Sequence, residues 1–257
     1  MKDFLRKQAL PFILIAVSCS TGLADPVAFT WDPSKSSPAL SGQGSSFTAD
    51  TINVKPYTYS LVANGASALQ QILQITGFQL NGQSVVAPGL NSSYGLYFKL
   101  NGSAQSVGGV PTFSYLDVSL NADPGNNNGT LSSTVQGGLA FSNGASGDIV
   151  LGSGKLVSTM LNMNAAGINA HFVQTFGPAE GQGAFFGNDS RLLDILLASD
   201  FVGIPQPDGT FVALGNNGSG QVTLAPAPEP ASLALLGGGL MIAIWFSRCS
   251  RLFSIKS

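Results

Sequence analysis

The sequence predicts an all-β protein: an antiparallel β-sandwich body, an N-terminal signal peptide and one C-terminal transmembrane helix. Alternating apolar and polar residues recur along the body, as in the segment 113–120. Asn-Gly and Asp-Gly pairs separate these segments and tolerate the positive φ of tight hairpins. Both ends of the chain instead carry an uncharged apolar run. We therefore divide the chain into 1–24, 25–224 and 225–257.

The N-terminal segment has the pattern of a secretory signal peptide. Lys2, Arg6 and Lys7 precede an apolar stretch at 9–17, and small residues lead to Ala24. This order predicts cleavage after Ala24, so that the mature chain begins at Asp25. The alternative is a lipoprotein anchored through Cys19, but the three residues before that cysteine lack the usual leucine.

The composition of the body excludes several classes of protein. Charged residues make up 9% of the chain, against about 25% in an average protein. Between positions 25 and 227 there are eleven acidic and five basic residues, a net charge of about −6 with neutral histidine. Such a body repels phosphate backbones, so we expect no nucleic-acid partner. Both cysteines lie in the terminal segments, which excludes a disulfide framework or a cysteine-based zinc site in the body.

The body contains many candidate strands and one candidate helix. The segment 66–75 could be helical, but the Thr-Gly pair that follows it favours a strand. The segment 190–199 is predicted to be a helix capped by Ser190. The predicted strands are 52–62, 70–80, 95–100, 113–120, 148–151, 155–163, 169–176, 210–214 and 220–224. The predicted turns are Asn64-Gly65, Asn81-Gly82, Asn101-Gly102, Asn128-Gly129, Asn143-Gly144, Asp208-Gly209 and Asn217-Gly218.

The C-terminal apolar run 231–246 has no charged residue and would span roughly 24 Å as a helix. The hydrocarbon core of a bilayer is about 30 Å thick, and flanking apolar residues could extend the run. Arg248, Arg251 and Lys256 follow it, which places the tail in the cytoplasm and the body outside. We interpret the run as a stop-transfer anchor; the alternative is a buried core helix.

Pro228, Glu229 and Pro230 precede this run and hold the backbone extended and exposed. Together the Pro-Glu-Pro motif, the apolar run and the basic tail resemble the PEP-CTERM sorting signal of Gram-negative bacteria that make exopolysaccharide. The resemblance covers about 30 residues, and in this chain the basic residues are more widely spaced than in the usual arginine cluster. It implies recognition by an exosortase, a membrane-embedded processing enzyme, and delivery to the cell surface or extracellular matrix.

Three short segments, 29–34, 177–186 and 215–224, are similar to the flocculation-associated subgroup of PEP-CTERM proteins. This resemblance implies a role in cell aggregation and carries no site residues.

The body shows no motif that identifies an enzyme, and we predict no catalytic residue and no cofactor. His171 is the single histidine, so a Ser-His-Asp triad would have to include it, and no Gly-x-Ser-x-Gly motif is present. We expect His171 to be an ordinary strand residue that shares a face with Val173. Glycoside hydrolysis needs two carboxylates that face each other across a cleft. The candidates for such a pair are Asp117, Glu180, Asp189 and Asp194.

The loop 120–130 is rich in oxygen ligands for a hard cation such as calcium, with Asp123, Asn126 and Asn128 as candidates. It lacks the acid spacing of an EF-hand, so ordinary turn chemistry is the favoured interpretation. Six aromatic residues could stack on sugar rings, although core packing is favoured for them: Trp31, Tyr57, Tyr59, Tyr94, Tyr97 and Tyr115.

These observations predict a secreted, non-enzymatic protein that is anchored transiently in the inner membrane, sorted by an exosortase and retained with exopolysaccharide. The alternatives are an exported carbohydrate-active enzyme and a calcium-dependent glycan-binding module.

Overall fold

The computed structural model describes residues 26–107, 110–135, 138–164, 167–179 and 191–226. Within these ranges the chain is nearly all β, as predicted, with a four-residue helix, Pro33–Ser36, and a 3-10 turn, Pro38–Leu40. The strands are β1 (Phe29–Trp31), β2 (Phe47–Ala49), β3 (Thr51–Ala63), β4 (Ala66–Leu80), β5 (Gln83–Val85), β6 (Tyr94–Val107), β7 (Val110–Pro124), β8 (Leu131–Thr134), β9 (Gly138–Phe141), β10 (Ile149–Asn164), β11 (Gly167–Pro178), β12 (Arg191–Pro205) and β13 (Phe211–Pro226).

Eight of these strands form one closed antiparallel sheet. In the order β3, β4, β6, β7, β10, β11, β12 and β13, each strand pairs with the next, and β13 pairs back with β3. The short strand β5 adds to the end of β4, while β1–β2 and β8–β9 form two small separate sheets. The body is thus an up-and-down arrangement closed by its first and last long strands.

The predicted β-sandwich is therefore wrong in its layering, although the all-β prediction is confirmed. One sheet encloses the core, instead of two sheets packed face to face. Six of the eight ladders contain a bulge or register irregularity, and such features bend a strand and increase its twist. Alternation in sequence marks one buried face in either architecture, so it could not distinguish them.

Three local predictions are also corrected. The predicted helix at 190–199 falls on β12, which lies between β11 and β13 and buries Leu193, Ile195 and Leu197 on one face. The buried apolar residues recur at every second position, which is the period of a strand, and sheet pairing overrides the helix propensity of the segment. Two pairs of predicted strands are merged in the structure: 148–151 with 155–163, and 210–214 with 220–224. They form the continuous strands β10 and β13.

Five of the seven predicted turns lie at hairpin tips or loops, and positive φ angles occur at Asn64, Gly65, Asn81 and Gly82, among others. The other two predictions are wrong, because Asn101-Gly102 lies inside β6 and Asn217-Gly218 inside β13. At Gly102 the glycine serves close packing, since an added Cβ would lie 2.7 Å from Leu116 Cδ1.

The core fills the closed sheet with the inward-facing half of each long strand. Removing such a side chain from water contributes about 1.5–3 kcal/mol. The enclosed residues include Ile52, Val54, Leu73, Ile75, Leu96, Phe98, Leu100, Leu116, Val118, Leu120, Phe172, Phe176, Leu193, Ile195, Val222 and Leu224.

The segment that carries β1 and β2 extends this core at one end. Trp31 is fully buried and donates a hydrogen bond from Nε1 to the Tyr94 hydroxyl at 3.0 Å. Phe47 packs edge-to-face on Phe78 with ring centroids 4.7 Å apart. The segment therefore belongs to the same folded unit as the closed sheet.

The β8–β9 hairpin, here called the outer hairpin, lies against the outer face of the closed sheet. Its Phe141 packs on Tyr97 of β6, with ring centroids 5.1 Å apart. Its Ser133 hydroxyl is 2.5 Å from Asn216 Oδ1 on β13. The connection between β7 and β10 thus crosses the outside of the closed sheet, and its two strands form a separate small sheet there.

Candidate functional site

The chain leaves the closed sheet at the end of β13, immediately before the predicted sorting motif. Pro226, the last described residue, pairs in register with Arg191 of β12. The Val27 backbone amide donates to the Leu224 carbonyl at 2.8 Å. The start of the predicted mature chain and the exit toward the sorting motif are therefore neighbours at one end of the body.

The residues predicted for sorting and cleavage lie outside the described residues. They are Ala24, Pro228, Glu229, Pro230, Arg248, Arg251 and Lys256, together with the apolar run 231–246. No helix in the described part of the chain has the length and apolarity needed to cross a membrane.

A polar cluster lies on the outer face where β7 ends and β10 begins. Ile149 and Ala122 form the first pair of the β7–β10 ladder, and Asp148 and Asp123 are the residues that directly flank this pair. The Tyr97 hydroxyl donates to Asp148 Oδ2 at 2.5 Å, and Asn128 Nδ2 donates to the same oxygen at 2.8 Å. The neighbouring carboxylate of Asp123 accepts the backbone amides of Asn127 and Asn128 at 3.1 and 3.0 Å.

The environment of this cluster shifts the pKa of two of its groups. Burial raises the pKa of Asp148, the negative charge of Asp123 raises it further, and the hydrogen bonds from Tyr97 and Asn128 partly oppose this rise. Burial also raises the pKa of Tyr97, and so does its hydrogen bond to Asp148. Tyr97 therefore remains protonated, and a hydrogen-bond donor, at neutral pH.

The three residues predicted as calcium ligands are all placed by the structure. Asp123 and Asn128 belong to the cluster, whereas Asn126 donates from Nδ2 to the Asn91 carbonyl at 2.9 Å. Asp123 also performs the turn chemistry that the sequence favoured, by accepting two backbone amides. The sequence missed Asp148, because the outer hairpin separates it from Asp123 along the chain. Its position directly before an alternating strand was the one available signal.

His171 lies on the outer face of β11 and contacts Asp194 of β12, with Nε2 and Oδ1 2.6 Å apart. Asp194 is almost fully buried. In the ladder, Met160 and Leu196 lie on either side of His171, and they are 70% and 45% exposed. The structure thus brings together His171 and Asp194, which the sequence analysis treated as separate candidates. The direct cross-strand neighbours of His171 are apolar side chains and carry no hydroxyl group.

The remaining predicted residues do not gather around this pair. Asp117 is exposed on β7, facing Asn101 and Lys155 in register, while Glu180 and Asp189 lie outside the described residues. Across the described ranges, no group of three or more histidine, cysteine or acidic side chains is arranged to hold a metal ion.

Core packing is confirmed for Trp31 and Tyr94, whereas Tyr97 is buried on the outer face against Phe141 of the outer hairpin. Tyr57 and Tyr59 share the outer face of β3 and are half-buried, and Lys55 Nζ lies 5.1 Å from the ring centroid of Tyr57. Tyr115 is the exposed member.

Comparison with protein families found the PEP-CTERM protein-sorting motif at residues 226–251. Comparisons with curated proteins and with solved structures found no match. This match confirms the predicted resemblance to the PEP-CTERM sorting signal, and it does not extend to the flocculation-associated subgroup. The motif implies that the protein is exported and sorted to the surface by an exosortase.

Proposed function

We propose that this protein, which carries the PEP-CTERM sorting motif, is a non-enzymatic component of the cell surface or extracellular matrix that promotes cell aggregation with exopolysaccharide. The observation that carries the proposal is the motif at 226–251, which starts on the last residue of β13. A sorting signal joined directly to a folded body needs no further domain between them.

In the proposed sequence of events, the apolar run 231–246 holds the exported chain in the inner membrane until the exosortase acts near Pro228–Pro230. All of the described β13 pairings lie at or before Pro226. Cleavage beyond that residue would therefore release a body whose closed sheet is intact. Because Val27 lies beside Leu224, both ends of the proposed mature body would face the membrane while the anchor is in place.

The outer surface supports contact with neutral polysaccharide. The ladder aligns Asn53, Gln221 and His171 with the exposed apolar side chains of Leu196 and Met160 on the outer face. Amides offer both donors and acceptors to sugar hydroxyls, and the low charge of the body does not favour ionic partners. Clustered apolar residues also suit contact with a second surface.

The sorting step is tested by the intact mass of the protein from membrane and extracellular fractions, in strains with and without exosortase activity. We expect an extracellular species that begins at Asp25 and ends near 228–230, and we expect it to disappear without the exosortase. A membrane species that keeps 231–257 in both strains would contradict the proposal.

The aggregation role is tested by adding the purified body to cells that make exopolysaccharide. We expect dose-dependent aggregation without release of soluble sugar. Product release that depends on Asp194 or another acid would instead support the carbohydrate-active enzyme, for which the His171–Asp194 contact is the one favourable observation.

A further inference from the structure

We infer that a hard cation, Ca²⁺, binds on the outer face of the closed sheet between the end of β7 and the start of β10. Its ligands would come from Asp123, Asn128 and Asp148, with Asn126 at the rim. The two carboxylates flank the first pair of the β7–β10 ladder, Asn128 bonds to both, and Tyr97 of β6 bonds to Asp148. The site goes beyond the sorting function, because it lies in the body and not in the C-terminal signal.

The first argument is a surplus of buried acceptor oxygens. Asn128 is only 3% exposed, and its Nδ2 donates to Asp148, so its amide group faces that carboxylate. Asn128 Oδ1 and Asp148 Oδ1 are both buried, and neither has a hydrogen-bond partner within the described residues. Buried oxygens of this kind normally have a donor or a cation as partner.

The second argument is the close approach of two ligand-type oxygens to Gly95 of β6. A Cβ added to this glycine would lie 3.0 Å from Asn126 Oδ1, 3.4 Å from Asp123 Cβ and 3.6 Å from Asp123 Oδ2. Two ligand-type oxygens therefore approach the same point above a residue that has no side chain. A side chain at position 95 would crowd both oxygens.

The third argument is charge. Across the described ranges, neither Asp123 nor Asp148 forms an ion pair with a lysine or arginine. The charge of Asp123 disfavours the ionised form of Asp148, and a divalent cation between the two carboxylates would remove that repulsion. Carboxylate and amide oxygens are the ligands of Ca²⁺, whereas histidine and cysteine, which favour zinc and other transition metals, are not among the candidate ligands.

The expected role of this cation is to join the root of the outer hairpin to the closed sheet. Asn128 lies just before β8, and Asp148 lies just after the hairpin, before β10. An ion held by both ends would restrain the whole crossing between β7 and β10. Calcium binding should therefore protect the segment 125–148 from proteolysis.

Isothermal titration of the full chain in detergent with CaCl₂, after removal of divalent ions with a chelator, tests the site. We expect one Ca²⁺ per chain and slower proteolysis of 125–148 when it is bound. In Asp148→Asn the affinity should fall about tenfold or more, because a charged ligand is lost. Asp117→Asn, an exposed carboxylate on β7, is the matched control and should bind like the wild type.

A second measurement on the unaltered chain covers the case in which Asp148→Asn does not fold. Tb³⁺, a luminescent substitute for Ca²⁺, should show tyrosine-sensitised emission because Tyr97 lies beside the site, and added Ca²⁺ should quench it. Absence of heat and of sensitised emission at millimolar ion would overturn the inference. Equal Ca²⁺ affinity in a folded Asp148→Asn variant would do the same.

Discussion

At the scale of single residues, the environment of Asp148 differs from what its sequence context suggests. It precedes a strand in a polar segment, yet it lies against a buried tyrosine, a buried asparagine and a second carboxylate. Burial and the charge of Asp123 make its ionised form unfavourable in the folded protein. The two hydrogen bonds from Tyr97 and Asn128 keep the side chain in place.

This environment predicts a specific pH dependence of stability in the absence of divalent ions. The raised pKa of Asp148 means that the folded state binds the proton more tightly than the unfolded state, whose value is near 3.8. Its contribution to stability is therefore present below that value and is lost as the pH rises through the folded pKa. In chelator, the free energy of unfolding of the wild type should fall relative to that of Asp148→Asn as the pH rises above about 4, with both proteins measured between pH 4 and pH 7.

Urea unfolding of both proteins across this pH range measures the difference directly. A constant difference between the two proteins would contradict the expected titration. The same experiment in Ca²⁺ should restore the stability of the wild type at pH 7 and leave the variant unchanged.

At the scale of elements, bends in long strands decide how the sheet curves. β10 contains Gly152 and Gly154, and its ladders to β7 and β11 both shift register in this region. A Cβ on Gly154 would overlap the carbonyl oxygen of Thr175 on β11. The glycine thus permits an approach between two backbones that any other residue would prevent.

We therefore expect Gly154→Ala to destabilise the protein by about 2–3 kcal/mol, the upper range for overpacking a fitted site. The matched variant is Gly77→Ala in β4, where an added Cβ meets nothing within 4 Å. That change should stay within about 0.5 kcal/mol. Thermal and urea unfolding of the two variants provide the comparison, and equal losses would show that Gly154 is not a constrained position.

At the scale of the whole molecule, the last strand closes the sheet. β13 pairs with β12 on one side and with β3 on the other, so the first long strand has its second partner only when the last one is present. Such long-range pairing carries a large loop-closure cost, which is recovered only on completion of the sheet. The folded body and the sorting signal are thus adjacent in sequence, and folding depends on residues directly before the signal.

Two truncations test this dependence. A chain that ends at 226 keeps every strand and should retain cooperative unfolding and protease resistance. A chain that ends at 210 lacks β13 and should lose both, because the edges of β3 and β12 become unpaired and expose core residues such as Ile52 and Ile195. Cooperative unfolding of the shorter chain would show that the sheet does not depend on closure.

The sequence was sufficient to determine the strand content, most hairpin turns and the C-terminal sorting motif, because each of these depends on residues close together in the chain. It also determined the low charge, which follows from composition alone. The tertiary structure alone decided that the sheet closes on itself, that 191–199 belongs to a strand and that Asp148 lies near Asp123. Each of these depends on pairing between distant segments, and alternation does not specify which strand becomes the neighbour. Closure by β13 and the register between β7 and β10 are therefore properties of the assembled sheet.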